Sequence, residues 1–336
     1  MTLSRLSLAL ADGLFALPEG GRIAVFRPRA DTDLSALPAE RIEAVQGFRP
    51  DHDALVRAGY RTVTEASGEY ALAVVVLPRS KAEAHGLIAR AMQVTCGGPV
   101  VVDGQKTDGV DSILKDCRKH GATVGTVLAK AHGKIFVATG GDFSDWHAGR
   151  NETVLPDGFV TVPGIFSADG VDRGSAILAG ALPRDLSGRV ADLGAGWGYL
   201  ARHVLSSPKV TECHLIEAEH AALECARRNV TDPRARFHWA DATKFEPESP
   251  FDVVIMNPPF HSARAADPAL GRAFIQAAAR MIRPSGTVWL VANRHLPYEA
   301  ALRDAFHEVT EAAGDASFKV YRLSKPNRKP ARPGAD

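Results

Sequence analysis

The 336-residue sequence has few cysteines and no long apolar run. Its four cysteines, Cys96, Cys117, Cys213 and Cys225, are scattered and form no CxxC pair. This spacing argues against a zinc site and against a disulfide framework, and we expect no metal. It is typical of small core residues in a reducing compartment. No apolar stretch approaches the roughly 20 residues that cross a bilayer as a helix, so we expect no membrane segment.

The sequence also lacks a strong charge of either sign. Its formal net charge is +1, and its 45% hydrophobic and 24% charged residues are typical of a globular protein. A nucleic-acid partner would therefore have to be bound by a local basic patch. The apolar N-terminal stretch has no basic region before it, and Asp12 interrupts it. We interpret it as the first helix or strand of a cytoplasmic protein rather than as a signal peptide.

Two segments of the chain, residues 70–104 and 251–293, share one layout. Each has an apolar strand, a proline, a helix rich in Ala and Arg, a glycine turn and another apolar strand, which indicates two duplicated α/β domains. The first half lacks both an asparagine before its proline and a glycine-rich turn, so it is interpreted as a copy without the site. We divide the chain into residues 1–150, residues 151–325 and a basic, proline-rich tail, residues 326–336.

The stretch "DLGAGWG", which begins at Asp192, follows a short predicted strand, residues 190–193. Glycines such as Gly194 and Gly196 allow a tight turn and close approach of a ligand. The third glycine, Gly198, comes one place earlier than in the dinucleotide-binding fingerprint. An acid directly before the turn favours a cationic ligand over a phosphate. The pattern therefore favours a cofactor that carries an ammonium and a sulfonium group.

Further polar residues follow the next predicted strands. Glu217 ends the second strand, where a carboxylate can accept both hydroxyls of a ribose. Asp241 follows the third strand, where it could reach the exocyclic amine of an adenine. Each acid alone could instead cap a helix or lie in a solvated turn. Together with Asp192 and with Asn257 at the fourth strand, they favour S-adenosylmethionine over the ligand of a generic Rossmann domain.

The stretch "FDVVIMNPPFH" begins at Phe251 and predicts a buried parallel strand that ends at Asn257. Pro258 and Pro259 have no N–H group, so they cannot continue the pairing of the strand. Ligands of open α/β sheets bind at the carboxyl ends of the strands, where this asparagine stands. The alternative interpretation is a strand-ending turn whose asparagine caps the next helix.

Taken together, "DLGAGWG", "IEAE", "ADAT" and "NPPFH" resemble the class I S-adenosylmethionine-dependent methyltransferases that modify exocyclic or amide nitrogens. The stretches "PGIFSADGVDRGSAILAGAL", "VANRHLPYEAAL" and "FKVYRLSK" resemble, more closely, the small-subunit (16S) ribosomal RNA guanine-N2 methyltransferases. Large-subunit relatives share much of this pattern. The resemblance covers residues 154–325, and the first half is loosely similar to that family's degenerate N-terminal domain, which is thought to bind RNA or support the catalytic half.

This resemblance implies two tandem Rossmann-like methyltransferase domains, of which the N-terminal one is degenerate and the C-terminal one has a seven-stranded, mostly parallel sheet. It implies cofactor contacts from Asp192, Gly194, Gly196, Glu217 and Asp241, and a cofactor entrance lined by Phe166, Asp172 and Ser175. Asn257, Pro258, Pro259 and Phe260 would form the base pocket. The sequence departs from the family at Trp197, which is bulkier than the usual residue and could narrow the cofactor pocket. It departs again at Glu217, where aspartate is commoner.

The expected activity is methyl transfer from S-adenosylmethionine to the exocyclic N2 of a guanine in ribosomal RNA, with 16S RNA in the small subunit as the expected substrate. Two alternatives stay open. One is an N-methyltransferase acting on adenine N6 or a protein glutamine amide. The other is a non-catalytic RNA-binding or ribosome-assembly module. Arg294 and His295 are candidates for contact with substrate phosphate. We expect a cytoplasmic monomer.

Overall fold

The structure of the protein is a computed structural model that describes residues 4–147, 152–259, 261–262, 265–266 and 268–327. The chain forms two compact units, one of residues 1–153 and 162–165 and the other of residues 154–161 and 166–336. Within the described ranges, no helix combines the length and the apolar character needed to cross a membrane.

The N-terminal unit is built around one mixed sheet with the strand order β3-β2-β1-β4-β5-β8-β6, and β7 pairs with β8. The first five strands in this order are parallel, and the others are antiparallel to their neighbours. Its elements are α1 (Arg5–Ala11), β1 (Ile23–Phe26), β2 (Ile42–Val45), α2 (Arg49–Arg57), β3 (Arg61–Val63), β4 (Leu72–Val76), α3 (Lys81–Val94), β5 (Val100–Gln105), α4 (Val110–Lys119), β6 (Thr123–Val124), β7 (Leu128–Lys130), β8 (Gly133–Thr139) and α5 (Ser144–His147).

The C-terminal unit contains a seven-stranded sheet with the order β13-β12-β11-β14-β17-β19-β18, in which β19 and β18 are antiparallel to their neighbours. Two short strand pairs, β9 with β10 and β15 with β16, lie outside that sheet. The remaining elements are β9 (Thr153–Val154), β10 (Val160–Thr161), α6 (Arg173–Ala181), β11 (Gly188–Leu193), α7 (Tyr199–Val204), β12 (Val210–Glu217), α8 (His220–Asn229), β13 (Ala235–Trp239), β14 (Phe251–Met256), β15 (His261–Ser262), β16 (Ala265–Ala266), α9 (Pro268–Met281), β17 (Ile282–Asn293), α10 (Glu299–Ala305), β18 (Phe306–Gly314) and β19 (Phe318–Pro326).

The predicted fold is confirmed. Both units are α/β, and the C-terminal sheet has seven strands of which five run parallel. The main path of the N-terminal sheet has the same topology, since its strands follow in the same relative order. In the C-terminal unit, the central strand β14 is buried along almost its whole length. Its side chains enter two apolar clusters, one on each face of the sheet, which explains its continuous apolar sequence.

Strand register identifies the residues of the N-terminal unit that stand at the positions of the C-terminal motifs. Phe26 of β1 pairs with Val45 of β2, as Leu193 of β11 pairs with Ile216 of β12. The following backbone N–H donates to the paired strand in both units, from Arg27 to the Val45 carbonyl and from Gly194 to the Ile216 carbonyl. By this register, Val25, Arg27 and Gln46 occupy the places of Asp192, Gly194 and Glu217.

Strand β4 of the N-terminal unit also lacks the motif residue of its C-terminal counterpart, β14. Phe26 also pairs with Val75 of β4, as Leu193 pairs with Met256 of β14. Val76 therefore stands where the C-terminal unit has Asn257. The N-terminal unit keeps the architecture and has apolar or bulky residues at the positions of the motifs, as the sequence predicted.

Candidate active site

The candidate site lies where β11 and β14 end, side by side. Asp192 on β11 pairs with Ile255 on β14, two residues before Asn257. Since side chains alternate along a strand, Asp192 and Asn257 point to the same face of the sheet. Helix α6, which begins with Asp172 as its N-cap residue, contacts the neighbouring helix α7 in this unit.

The glycine turn between β11 and α7 has the predicted left-handed backbone. The φ angles are 73° at Gly194, 55° at Gly196 and 89° at Gly198. Gly198 is also needed for packing, because a Cβ atom there would lie 2.8 Å from Val230 Cγ2 on the segment after α8. At these three positions the backbone carries no side chain, so a ligand can approach it closely there.

Asp192 is fully buried, with 0% exposure. Neither of its carboxylate oxygens has a hydrogen-bond partner among the described residues. Burial raises the pKa of Asp192 to about 8, the negative charge of Glu217 adds to this, and the backbone N–H of Ala201 acts in the opposite direction without reaching hydrogen-bond geometry. A buried carboxylate without a partner is costly unless a ligand supplies positive charge or hydrogen-bond donors.

Glu217, the last residue of β12, is bound to the turn. One carboxylate oxygen accepts from the Gly196 N–H at 2.8 Å and the other from the Glu219 N–H at 2.7 Å. Burial raises the pKa of Glu217, and the two backbone donors act in the opposite direction. Each oxygen keeps a second lone pair, with which it could accept a hydroxyl of a ligand.

Asp241 follows β13 in a turn that it stabilises itself. One of its oxygens accepts from the Thr243 N–H at 2.9 Å and from the Thr243 hydroxyl at 2.6 Å, and the other lies 3.3 Å from the Lys244 ammonium. These contacts fit the turn interpretation of this acid as well as the cofactor interpretation.

Asn257 is held by two residues of the α6 N-terminus. Its Nδ2 donates to Asp172 Oδ2 and to Ser175 Oγ, both at 2.9 Å. The same Asp172 oxygen accepts from the Ser175 N–H at 2.8 Å as the cap of α6. Asn257 Oδ1, in contrast, is buried and has no partner among the residues that the structure describes.

One pocket brings together six of the twelve predicted site residues. It is lined by Phe166, Asp172, Ser175, Gly194, Gly196 and Asn257, among others. Asp192, Glu217 and Asp241 are not part of this lining. Pro258 is buried and Pro259 exposed. Phe260 lies outside the described residues.

Two residues have a structural role here that the sequence did not reveal. Trp197 lines the pocket and is 4% exposed. Its indole N–H donates to the Phe166 carbonyl, so its bulk serves a contact as well as filling space. Asn229 at the end of α8 donates to the Trp197 carbonyl. A polar residue closing an otherwise amphipathic helix was the only signal for Asn229 in the sequence.

Arg294, a candidate for binding substrate phosphate, is already engaged. Its Nε donates to the Asp315 carbonyl at 2.9 Å, and Nη2 donates to Glu311 at 2.9 Å. These contacts stabilise the connection between β18 and β19 and reduce what the guanidinium can offer to a phosphate. The N–H of His295 donates to the Asn293 side chain.

Comparison with known proteins places this site in a family. A family model described as the methyltransferase small domain matches residues 157–322, which include every residue of the pocket. A ribosomal RNA small subunit methyltransferase C from Salmonella typhi is 30% identical over 255 residues, which cover 73% of each chain. This chain belongs to the ribosomal RNA small subunit methyltransferase C family. Like the other members of that family, it is an S-adenosylmethionine-dependent methyltransferase of ribosomal RNA.

Two further similarities extend the comparison. A ribosomal RNA large subunit methyltransferase G from Streptomyces avermitilis is 36% identical over 167 residues, which cover 48% of this chain and 44% of that one. The solved structure of the T. thermophilus 16S rRNA N2 G1207 methyltransferase (RsmC), in complex with AdoMet and guanosine, is 24% identical. It covers 94% of this chain and 91% of its own, with a TM-score of 0.77, so the fold of both halves is shared.

The residues present fit the methyl donor of this family. S-adenosylmethionine carries two positive charges near its methyl group, and the site has a buried, unpaired Asp192 with Glu217 close enough to raise its pKa. The glycine turn gives the backbone room for close approach. Within the described ranges, no group of three or more His, Cys, Asp or Glu side chains is arranged to hold a metal ion.

Proposed function

We propose that this protein methylates the exocyclic N2 of a guanine in the ribosomal RNA of the small subunit. The observation that carries the proposal is the free acceptor at Asn257. Its buried Oδ1 has no partner among the described residues, and Asn257 is one of the residues that line the pocket that the family's cofactor would enter. An exocyclic amino group brings the hydrogens that such an oxygen lacks.

The orientation of the Asn257 amide follows from its neighbours. An ionised Asp172 carboxylate can only accept, so the group that faces it must be the NH₂ of the amide. The second hydrogen of that NH₂ is directed to Ser175 Oγ. Both amide hydrogens are therefore used, which leaves Oδ1 as the free acceptor that this proposal assigns to the substrate amino group. Asp172 and Ser175 thus act by presenting the acceptor as well as by lining the entrance.

In this proposal the chain's own residues act mainly by orienting the guanine amino group for methyl transfer. S-adenosylmethionine supplies the methyl group from its sulfonium sulfur. The lone pair of a guanine amino group is delocalised into the ring, which makes it a poor nucleophile. Asn257 Oδ1 and the Pro258 carbonyl each accept one amino hydrogen, orient the nitrogen and stabilise the positive charge that develops on it. The extra proton then leaves to water.

The other predicted residues have supporting roles in this proposal. Glu217 would accept the ribose hydroxyls, Asp241 the adenine amine, and Asp192 would face the charged end of the cofactor. Pro259 would fix the backbone after Asn257, since its ring restricts φ. Phe260 would stack on the base after it has been flipped out of its helix, a contact of about 1–3 kcal/mol.

The extent of the similarities supports the small subunit over the large one. The small-subunit relative from Salmonella typhi aligns over 73% of both chains, so it includes part of each half. The large-subunit relative aligns over 48% of this chain, about the length of the catalytic half alone, and one small-subunit relative aligns over the same share. The N-terminal unit, residues 1–150 in the sequence prediction, would then support the catalytic half or bind RNA. Such an enzyme would act in the cytoplasm, where it meets its substrate.

Labelled methyl transfer tests the proposal directly. The protein is incubated with methyl-labelled S-adenosylmethionine and with small subunits, large subunits or naked RNAs from cells that lack its gene, and the nucleosides are analysed. We expect N2-methylguanosine from small-subunit RNA. Labelled N6-methyladenosine would contradict the guanine acceptor, and label confined to large-subunit RNA would contradict the choice of subunit.

The variant Asn257→Ala separates an enzyme from an assembly factor. Loss of the acceptor should lower kcat by about 10²–10³, as for other single groups that stabilise developing charge. Binding of S-adenosylhomocysteine should be retained. Asn293→Ala is the matched control, because Asn293 ends the neighbouring strand β17 and is bonded to the His295 N–H. Unchanged turnover in Asn257→Ala would remove the basis of the proposal.

A further inference from the structure

The pocket has one wall formed by a strained and exposed turn. Phe166 is a large apolar residue and is nevertheless 65% exposed, and Ser167 has a φ of 54°, in the left-handed region. Both residues line the pocket, and we call them the rim. A residue other than glycine in this conformation is unfavourable, so neighbouring contacts must hold the rim in place.

Trp197 provides the first of these contacts. Its Nε1 donates to the Phe166 carbonyl at 3.1 Å. The indole is packed against Phe159, with ring centroids 4.8 Å apart, and against Tyr199 at 5.8 Å. Because the ring is buried in this way, its N–H has a fixed direction. Trp197 is itself part of the glycine turn, so the rim is tied directly to that turn.

Asn229 provides the second contact. Its Oδ1 accepts from the Val160 N–H at 2.7 Å, and its Nδ2 donates to the Val160 carbonyl and to the Trp197 carbonyl, both at 2.8 Å. The amide therefore pairs with Val160 as a second strand would and holds the backbone of the glycine turn at the same time. One side chain joins α8, β10 and the turn.

We propose that Trp197 and Asn229 are positioning residues that hold the rim and the glycine turn in the geometry needed to bind the cofactor. Their hydrogen bonds join three segments that are far apart in the chain, the stretch from β10 to the rim, the glycine turn and α8, and the rim and the turn line the pocket. Neither side chain supplies the acceptor for the amino group, which is Asn257. The effect of the two residues is therefore on cofactor affinity rather than on the chemical step. This inference rests on the proposed assignment of the pocket to S-adenosylmethionine.

The test uses Trp197→Phe, which keeps an aromatic ring and loses the N–H donor. S-adenosylhomocysteine should bind about three- to tenfold more weakly, the effect of one hydrogen bond. KM for S-adenosylmethionine should rise by the same factor, and kcat should change less than about twofold. Asn229→Asp, which keeps the acceptor for Val160 and loses both donors, should act in the same direction. In both variants, amide hydrogen exchange in the peptide from Phe159 to Ala168 should accelerate.

Trp289→Phe is the matched control. Trp289 is 6% exposed on β17 in the same unit and does not line the pocket, so this variant should leave cofactor affinity and exchange at the rim unchanged. If Trp197→Phe and Asn229→Asp bind S-adenosylhomocysteine as tightly as the wild type and exchange no faster at the rim, the positioning role of Trp197 and Asn229 is refuted. If the wild-type protein does not bind S-adenosylhomocysteine, the assignment of the pocket fails and the positioning role with it.

Discussion

Replacing Asp192 by asparagine is expected to stabilise the protein while it weakens cofactor binding. Asp192 is buried without a hydrogen-bond partner among the described residues, and burial and the Glu217 charge raise its pKa to about 8. In the unfolded chain its pKa returns to about 3.8. The folded protein therefore holds a proton here that the unfolded chain releases over most of the physiological pH range.

The sign and size of the effect follow from this difference. Between about pH 4 and pH 8 the folded state binds more protons than the unfolded state, so the free energy of unfolding falls as pH rises. The slope is about 1.4 kcal/mol per pH unit, which gives an upper limit of about 4 kcal/mol at pH 7. Asparagine does not titrate, so the variant does not lose this free energy of unfolding as pH rises. Its amide would also lack partners, which costs about 1–3 kcal/mol, so the net gain at pH 7 is about 1–3 kcal/mol.

Urea unfolding without cofactor at several pH values between 5 and 8 measures this effect. Tryptophan fluorescence is suitable, because three of the four tryptophans, Trp197, Trp239 and Trp289, belong to the C-terminal unit. The free energy of unfolding of Asp192→Asn should exceed that of the wild type by an amount that grows with pH. Asp241→Asn is the control, since Asp241 is hydrogen-bonded by Thr243. A difference independent of pH would refute the argument, as would undiminished binding of S-adenosylhomocysteine by Asp192→Asn.

Three other outcomes are expected. Asp172→Ala should lower the free energy of unfolding by about 1 kcal/mol, because α6 loses its cap, which urea unfolding measures. It should also lower kcat, because the Asn257 amide is no longer oriented. Steady-state kinetics measure this second effect, and an unchanged kcat would contradict it. Gly198→Ala should lower the free energy of unfolding by about 1–3 kcal/mol, since φ is positive and the new Cβ would meet Val230 at 2.8 Å. An unchanged free energy of unfolding would show that the turn relaxes. Calorimetry should give one S-adenosylhomocysteine per chain, because Arg27 replaces the first turn glycine in the N-terminal unit, and a stoichiometry of two would contradict this.

The sequence predicted well wherever a feature depends on neighbouring residues. The short strand, the glycine turn and the following helix at residues 188–204 were all predicted, because glycines and an apolar run determine the backbone locally. The end of β14 before Asn257 was predicted because prolines cannot pair. That these strand ends meet could also be inferred, since parallel strands place their carboxyl ends at one edge.

The sequence leaves open how each polar residue is used. Asp241 and Arg294 were chosen for ligands, and the structure shows that Thr243 and Lys244 engage the first and Glu311 and the Asp315 carbonyl the second. Their carboxylate and guanidinium groups have the right chemistry for either role. Composition and spacing do not reveal which neighbour reaches such a group first.

By itself, the sequence determined the architecture, the family and the order of the motifs along the strands. Only the tertiary structure decided which atoms are left for a ligand. The free oxygen of Asn257 exists because Asp172 and Ser175, 85 and 82 residues earlier, take both amide hydrogens. The link between Asn229 and Val160 spans 69 residues in the same way. Local preferences act over a few residues, whereas the pairing and burial of a polar group depend on segments that meet only when the sheet and its helices pack together.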